Sequence, residues 1–232
     1  MTQDLNDQFR DVEPVAPAAG YFGGKRYVAN RLIKRMEALP HTGYAEPFVG
    51  MGGVFLRRRL VPRFEAINDA SGDVATFFRV LQRHYTHFLE MLRFQVTSRR
   101  EFERLMKTDP DTLTDLERAA RFLYLQRLAY GEKVINRSFA ARNNQSARFN
   151  VLDLASTLEA IHERLASVVV ERLPWQEFMR RYDRPGMLFY LDPPYYGIEY
   201  EYGRGAFRRE EYGEMAELFA SLKGSVLLSL ND

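Results

Sequence analysis

The stretch Tyr44-Ala45-Glu46-Pro47-Phe48-Val49-Gly50-Met51-Gly52-Gly53 constrains this chain more than any other. A short apolar lead runs into a glycine-rich turn, the helical Val54-Phe55-Leu56 follows, and Phe64-Glu65-Ala66-Ile67 reads as a second strand ending at Asn68-Asp69. Strand, glycine turn, helix and strand in that order begin an open α/β sheet, whose ligands bind beyond the carboxyl ends of the strands. Glycines placed there let a ligand lie close to the backbone beside a positive helix end, although a purely structural turn has the same composition. A dinucleotide fingerprint needs its third glycine where Phe55 stands, and a phosphate loop around Gly24-Lys25 fails at Ala19 and Arg26. The turn therefore suits a nucleoside without a pyrophosphate. Asp69, 19 residues beyond Gly50, is placed to accept hydrogen bonds from ribose hydroxyls.

The rest of the chain extends the same α/β pattern. Residues 1–19, polar and then rich in proline and alanine, read as a flexible leader. Val28, Leu32, Ile33 and Met36 have helical spacing in a helix from Tyr27 to Leu39. From Gly72 to Leu128 the pattern is helical, and residues 129–150 read as a surface loop or small hairpin. A helix from Leu154 to Leu165, a strand at Val168–Val170 and a strand at Met187–Leu191 follow. That last run is apolar on both faces, as in a strand covered by helices on both sides. A helix from Arg209 to Leu222 leads to a final strand at Ser225–Ser229. The expected organisation is a leader (1–19), a discontinuous catalytic domain (20–75 and 151–232) and an inserted, mainly helical lobe (76–150).

Composition removes several classes of function. With 46% hydrophobic and 28% charged residues the chain is an ordinary globular protein, and the absence of cysteine excludes disulfides and thiolate metal sites. His41, His84, His87 and His162 lack metal-ligand spacing, and no metal is expected. Neither a signal peptide nor a membrane-length apolar run is present, so a cytoplasmic location is expected. The net charge is only +2, but Arg118, Arg121, Arg127, Lys133, Arg137, Arg142 and Arg148 face a single acid, Glu132, within one segment. Such a block either tracks a phosphate backbone or forms a solvated helix face.

The second chemical element is Asp192-Pro193-Pro194-Tyr195, at the carboxyl end of the strand Met187–Leu191. A conjugated amine, such as the N6 of adenine, is a poor nucleophile because its lone pair is delocalised into the ring. The Asp192 carboxylate and the Pro193 carbonyl can hold both amine protons and favour a pyramidal nitrogen, while the prolines fix the backbone. Tyr195 offers a face to a base drawn out of the stack. A simple turn at a strand end is the alternative reading.

Taken together, the order of motifs resembles the Dam-type family of adenine-N6 DNA methyltransferases. Tyr21-Phe22-Gly23-Gly24-Lys25 is similar to its N-terminal aromatic-x-Gly-Gly-Lys motif, Glu46 to Gly52 to its cofactor loop, Asn68-Asp69 to its second-strand acid and Asp192 to Tyr195 to its catalytic tetrapeptide. Ser229-Leu230-Asn231-Asp232 is similar to the segment that follows. The resemblance spans residues 20–232 and implies a Rossmann-like methyltransferase sheet using S-adenosyl-L-methionine.

It implies a cofactor site of Tyr21, Lys25, Glu46, Phe48, Gly50, Gly52, Asp69 and Asp192, with Lys25 answering the methionine carboxylate. Glu177-Phe178 stands where the family has an acid and an aromatic for the cofactor's adenine, although core packing explains that pair equally well. Asp192, Pro193, Pro194 and Tyr195 would form the catalytic set. The inserted lobe corresponds to the family's target-recognition region. Arg127, Lys133, Asn136, Arg137, Arg142, Asn144 and Arg148 would contact double-stranded DNA there, cations on phosphates and amides on base edges.

Departures from the family pattern are also visible. Its Gly-rich Gly-Phe-Asn-Gly stretch appears as Leu128-Ala129-Tyr130-Gly131-Glu132, and only Arg148-Phe149-Asn150-Val151 keeps the following Phe-Asn-Val, so the target sequence is not inherited. Family members continue past residue 232 with about two further strands, so the sheet is expected to lack its far edge. The resemblance implies a bacterial or phage-encoded protein, a monomer or weak dimer, with restriction-modification and housekeeping roles both open. Rival readings are methylation of RNA or of a protein amide, and a DNA-binding relative without catalysis. The amide-directed enzymes typically carry Asn where Asp192 stands.

Overall fold

The computed structural model describes residues 9–140, 147–202 and 207–230. A five-stranded sheet organises the described chain, in the order β5 (Val169–Glu171), β4 (Phe64–Asn68), β2 (Gly43–Glu46), β6 (Met187–Leu191) and β7 (Ser225–Leu228), with every pairing parallel. Parallel strands need helical crossovers, which bury both faces. The alternation in β6 follows from this: Leu188 and Tyr190 enter one core, while Met187, Phe189 and Leu191 enter the other.

The first core lies under α1 (Ala29–Glu37), α2 (Gly72–Leu92), α4 (Asp115–Leu128) and α5 (Val151–Leu165). The second lies under α6 (Trp175–Tyr182) and α7 (Glu211–Phe219). The remaining helix is α3 (Arg99–Lys107), and the remaining strands are β1 (Phe9–Asp11) and β3 (Leu60–Pro62). Helices of the 76–150 segment have no core of their own, since Phe77, Phe88, Phe102 and Phe122 share a cluster with Tyr44, Ile67 and Leu188. Thr114 starts α4 with a reciprocal cap: its side chain accepts from the Glu117 N–H, and the Glu117 carboxylate accepts from the Thr114 N–H at 2.9 Å.

Chain direction explains where a ligand belongs. From β2 the chain moves one way, to β4 and β5, and then returns to lay β6 and β7 on the other side of β2. The carboxyl ends of β2 and β6 flank this reversal, and crossovers departing in opposite directions leave a crevice there. Asn68, buried at the end of β4, knits the rim: its amide donates to the carbonyls of Pro47 (3.0 Å) and Leu173 (3.1 Å) and accepts from the Leu173 N–H (2.8 Å).

Three sequence expectations are corrected. Residues 9–19 are folded: β1 pairs antiparallel with β3, and Val15, Ala18 and Ala19 are buried in the main core. Composition misled because the strand is short and the prolines lie in an extended segment that needs few ladder bonds. The helix after the glycine turn shrinks to a 3-10 turn, Phe55–Arg57, and α6 forms where the sequence pattern placed no helix. At the far side of the sheet, β7 pairs only with β6 among the described residues.

A buried ion triad fastens α5 to the sheet. Glu65 receives Arg58 at 2.8 Å and Arg164 in a two-pronged contact at 2.6 and 2.9 Å, all nearly devoid of solvent exposure. The guanidiniums also stack, Arg58 3.7 Å from the Tyr44 ring centroid and Arg164 4.2 Å from that of Phe55. His41 bonds the Leu39 carbonyl through Nδ1 at 2.7 Å, which leaves Nε2 as the acceptor facing Arg58 at 3.3 Å. Breaking such a cluster leaves two uncompensated charges in low dielectric. Glu65→Gln is expected to cost about 3–5 kcal/mol by urea denaturation, whereas Asp11→Asn, which opens the exposed Arg59–Asp11 pair, should cost under about 1 kcal/mol. Equal costs would remove the triad from its fastening role.

Candidate active site

At the reversal point the strand ends enclose a cavity of about 730 Å3, within the range of small-molecule sites. Each wall comes from a different motif. Glu46 ends β2 and Asp192 follows β6, while Asp69 to Ser71 follow β4, and the turns at residues 20–26 and 50–53 complete the rim. Gly50 has φ of +51°, and a Cβ there would lie 3.0 Å from the Tyr21 ring, so the turn requires glycine both for conformation and for space. Asp69 fixes the turn from below, accepting the Gly50 N–H through one carboxylate oxygen and the Ser71 N–H through the other, each at 2.9 Å.

The catalytic and glycine motifs thus share one chamber. Tyr21, Lys25, Glu46, Phe48, Gly50, Asp69, Asp192 and Pro194 all line it, whereas Gly52 stays within the turn, its N–H bonded to the Val49 carbonyl at 2.8 Å. Pro193 and Tyr195 stand just behind the wall. Tyr195 reaches the site through Lys25, whose ammonium donates to the Tyr195 hydroxyl and lies 4.4 Å from its ring centroid. The Pro194 carbonyl is engaged by the Tyr212 hydroxyl.

Burial dominates the electrostatics. Lys25 Nζ lies 2.6 Å from Asp192 Oδ1, a close and largely buried ion pair. Desolvation pushes the Asp192 carboxyl up to about 6 against the pull of Lys25. Asp69 is likewise raised to about 6 by burial, with the Ser71 and Gly50 amides opposing. Burial raises Glu46 to about 8; the Tyr44 hydroxyl, which donates to it at 2.7 Å, pulls down and Asp192 pushes further up. The lining sets four acids, Glu46, Asp69, Glu132 and Asp192, against four cations, Lys25, Arg26, Arg57 and Arg127, and among the described residues only Lys25 is ion-paired with one of those acids.

The chain matches the D12 class N6 adenine-specific DNA methyltransferase family over residues 21–229. It belongs to that family. The type II methyltransferase M.CviBI of Paramecium bursaria Chlorella virus NC1A is 18% identical over 216 residues, covering 91% of this chain and 81% of the viral protein. The type II methyltransferase M1.LlaDCHI of Lactococcus lactis subsp. cremoris is 24% identical over 189 residues, covering 77% of this chain and 65% of that relative.

In this methyltransferase the basic block is largely engaged internally. Arg118 pairs with Asp73 and Asp111, and Arg121 holds the Leu105 carbonyl. Arg127 donates to the carbonyls of Ala18 (2.6 Å) and Arg148 (2.8 Å), and Arg137 to the Lys133 carbonyl and the Gln126 side chain, each at 3.0 Å. Arg127 and Arg137 therefore act as internal struts, and Arg127 also lines the cavity. Carbonyl acceptors left over at chain turns claim guanidinium donors. Lys133 and Asn136 lie on the loop 129–140, Asn136 exposed, and Arg148 is half-buried. Arg142 and Asn144 fall outside the described residues.

Glu177 and Phe178 are corrected as well. Glu177 is exposed and paired with Arg181 at 2.7 Å, Phe178 is buried in the second core, and neither lines the cavity. Sequence reasoning missed Tyr202, Arg57 and Glu132, which do line it. Tyr202 packs edge-on to Phe22 at 5.4 Å, and Arg57 is aimed by donating to the Gly53 carbonyl four residues back, at 2.6 Å. None sits in a periodic pattern, so only the fold assembles them. Among the described residues no His, Asp and Glu cluster suits a metal, and no helix is long and apolar enough to cross a membrane.

The raised carboxyls fix the sign of a pH effect. The unfolded chain ionises Glu46 near its ordinary 4.5, while the fold holds the proton to about 8. Stability of the ligand-free protein is therefore complete below the lower value and is lost as pH climbs through the higher one. Thermal midpoints are expected to fall between about pH 6 and 8, above the range where Asp69 and Asp192 titrate. Glu46→Gln should flatten that interval, and an unchanged slope in the variant would assign the proton elsewhere.

Proposed function

We propose that this enzyme transfers a methyl group from S-adenosyl-L-methionine to the N6 amine of an adenine flipped out of double-stranded DNA at a short recognition site. The observation that carries the reading is the single chamber that Asp192 shares with the Gly50 turn and Asp69. A sulfonium-bearing nucleoside with a methionine arm fits that chamber on its chemistry: a hydroxyl-accepting carboxylate at Asp69, a close backbone approach at Gly50, and both cationic and acidic side chains in the lining for a zwitterionic arm. Bound there, the cofactor supplies an electrophilic methyl group.

The chain's own groups do the rest. Asp192 accepts one amine proton of the target base in a hydrogen bond, and the Pro193 carbonyl accepts the other, which localises the nitrogen lone pair toward the cofactor side. Tyr195 presents its ring to the extruded base. Lys25, found on Asp192 rather than free for a carboxylate, keeps that acid ionised and must be displaced or shifted as the amine arrives. Closing the base into a desolvated chamber strengthens each of these contacts.

The test is methyl transfer from labelled S-adenosyl-L-methionine to duplex DNA, with modified-base sequencing of DNA from expressing cells to report base and site. Asp192→Ala is expected to lower turnover by at least about 10³-fold while retaining most DNA binding. Full turnover in that variant would remove the carboxylate from the chemistry, and methylation of RNA alone would overturn the substrate assignment.

A further inference from the structure

The last turn of α4 holds a buried amide that the methylation chemistry does not use. Gln126 is 1% exposed. Its Nε2 donates to the Gly20 carbonyl at 3.0 Å and to the Glu132 carbonyl at 2.9 Å, and its Oε1 accepts from Arg137 Nη2 at 3.0 Å. Arg137 in turn donates to the Lys133 carbonyl at 3.0 Å. One carboxamide thus uses both donors and one acceptor position on two separate pieces of chain.

Those two pieces are functionally distinct. On one side is the segment entering the cavity: Gly20 precedes Tyr21, whose ring covers the Gly50 turn. On the other is the loop 129–140, closed by the Ala129–Phe139 bridge and by Tyr130 and Ala140 amides bonded to the Ser138 and Leu128 carbonyls at 2.9 and 2.8 Å. That loop holds Glu132 and Asn136 at positive φ (58° and 47°), a conformation that persists only where neighbours impose it. The Glu132 carboxylate occupies the space a Cβ at Gly20 would need, so the two pieces also meet without the amide.

We propose that Gln126 is a positioning residue coupling the recognition loop to the cofactor cavity, so that filling the cavity orders the loop and ordering the loop tightens the cavity. The inference rests on the cofactor and DNA-loop assignments above. Coupling of this kind is reciprocal and is read as a change in one site when the other is filled. A merely structural amide would change stability but not that response.

The experiment is hydrogen exchange across residues 129–140 with and without saturating S-adenosyl-L-methionine, beside calorimetric binding of the same compound. In the wild-type protein the cofactor is expected to slow exchange at Tyr130 and Ala140 by about fivefold or more. Gln126→Glu keeps the acceptor for Arg137 but loses both donors. It should bind the cofactor about tenfold more weakly and, once saturated, show no added protection of the loop. Equal protection in the two proteins, or none in a wild type that binds the cofactor, overturns the coupling. A wild type that fails to bind the cofactor overturns the cofactor reading first and this inference with it. If Gln126→Glu does not fold, Arg137→Met serves instead: at least a twofold smaller cofactor-induced protection of the loop together with a matching loss of cofactor affinity supports the proposal, and full added protection at wild-type affinity sinks it.

Discussion

Residues 43–45 run beside residues 187–189 in parallel register, and the whole site depends on that pairing. The two strands lie 144 positions apart and are held at their start by Thr42 and Gly43 amides on the Gly186 carbonyl. Because the connections from β2 and β6 depart toward opposite sides, a cavity stays open above their carboxyl ends among the described residues. Glu46 and Asp192 emerge into that gap side by side. Every other element of the chamber, from the Gly50 turn to the Lys25 segment, is arranged around these two acids.

What the sequence made legible follows from how local each signal is. The strand, glycine turn and strand from Tyr44 to Asp69 are written in consecutive residues, and so are the apolar run of β6 and the tetrapeptide after it. Residues 9–19 were misread because burial of Val15, Ala18 and Ala19 depends on partners far along the chain, not on their own composition. The internal bonding of the basic block was illegible for a related reason. Counting charges gives a field, but whether a guanidinium is available depends on which carbonyl lies within its reach, as Ala18 lies within reach of Arg127. Glu177 and Phe178 satisfied a pattern whose spacing fits, yet α6 turns one to solvent and the other into the core.

Polar burial divides into two regimes. Under the sheet, Arg58, Glu65 and Arg164 neutralise one another and favour a single packing of α5. Above it, Glu46, Asp69 and Asp192 are left partly uncompensated, with Lys25 the one cation in direct contact among the described residues. The first regime stabilises the fold, and the second lowers the stability of the empty site. Sites that hold charge under strain are where stability and activity trade against each other.

The folded segment before Gly20 has a practical implication. Ala18 and Gly20 supply the carbonyls that occupy Arg127 and Gln126, and Val15 fills part of the main core. A variant trimmed to begin at Tyr21, where family similarity starts, would retain every recognisable motif. It would nonetheless strand a guanidinium and an amide inside the protein and open a hole beside them. The boundary of a homology match is therefore the wrong place to cut this chain.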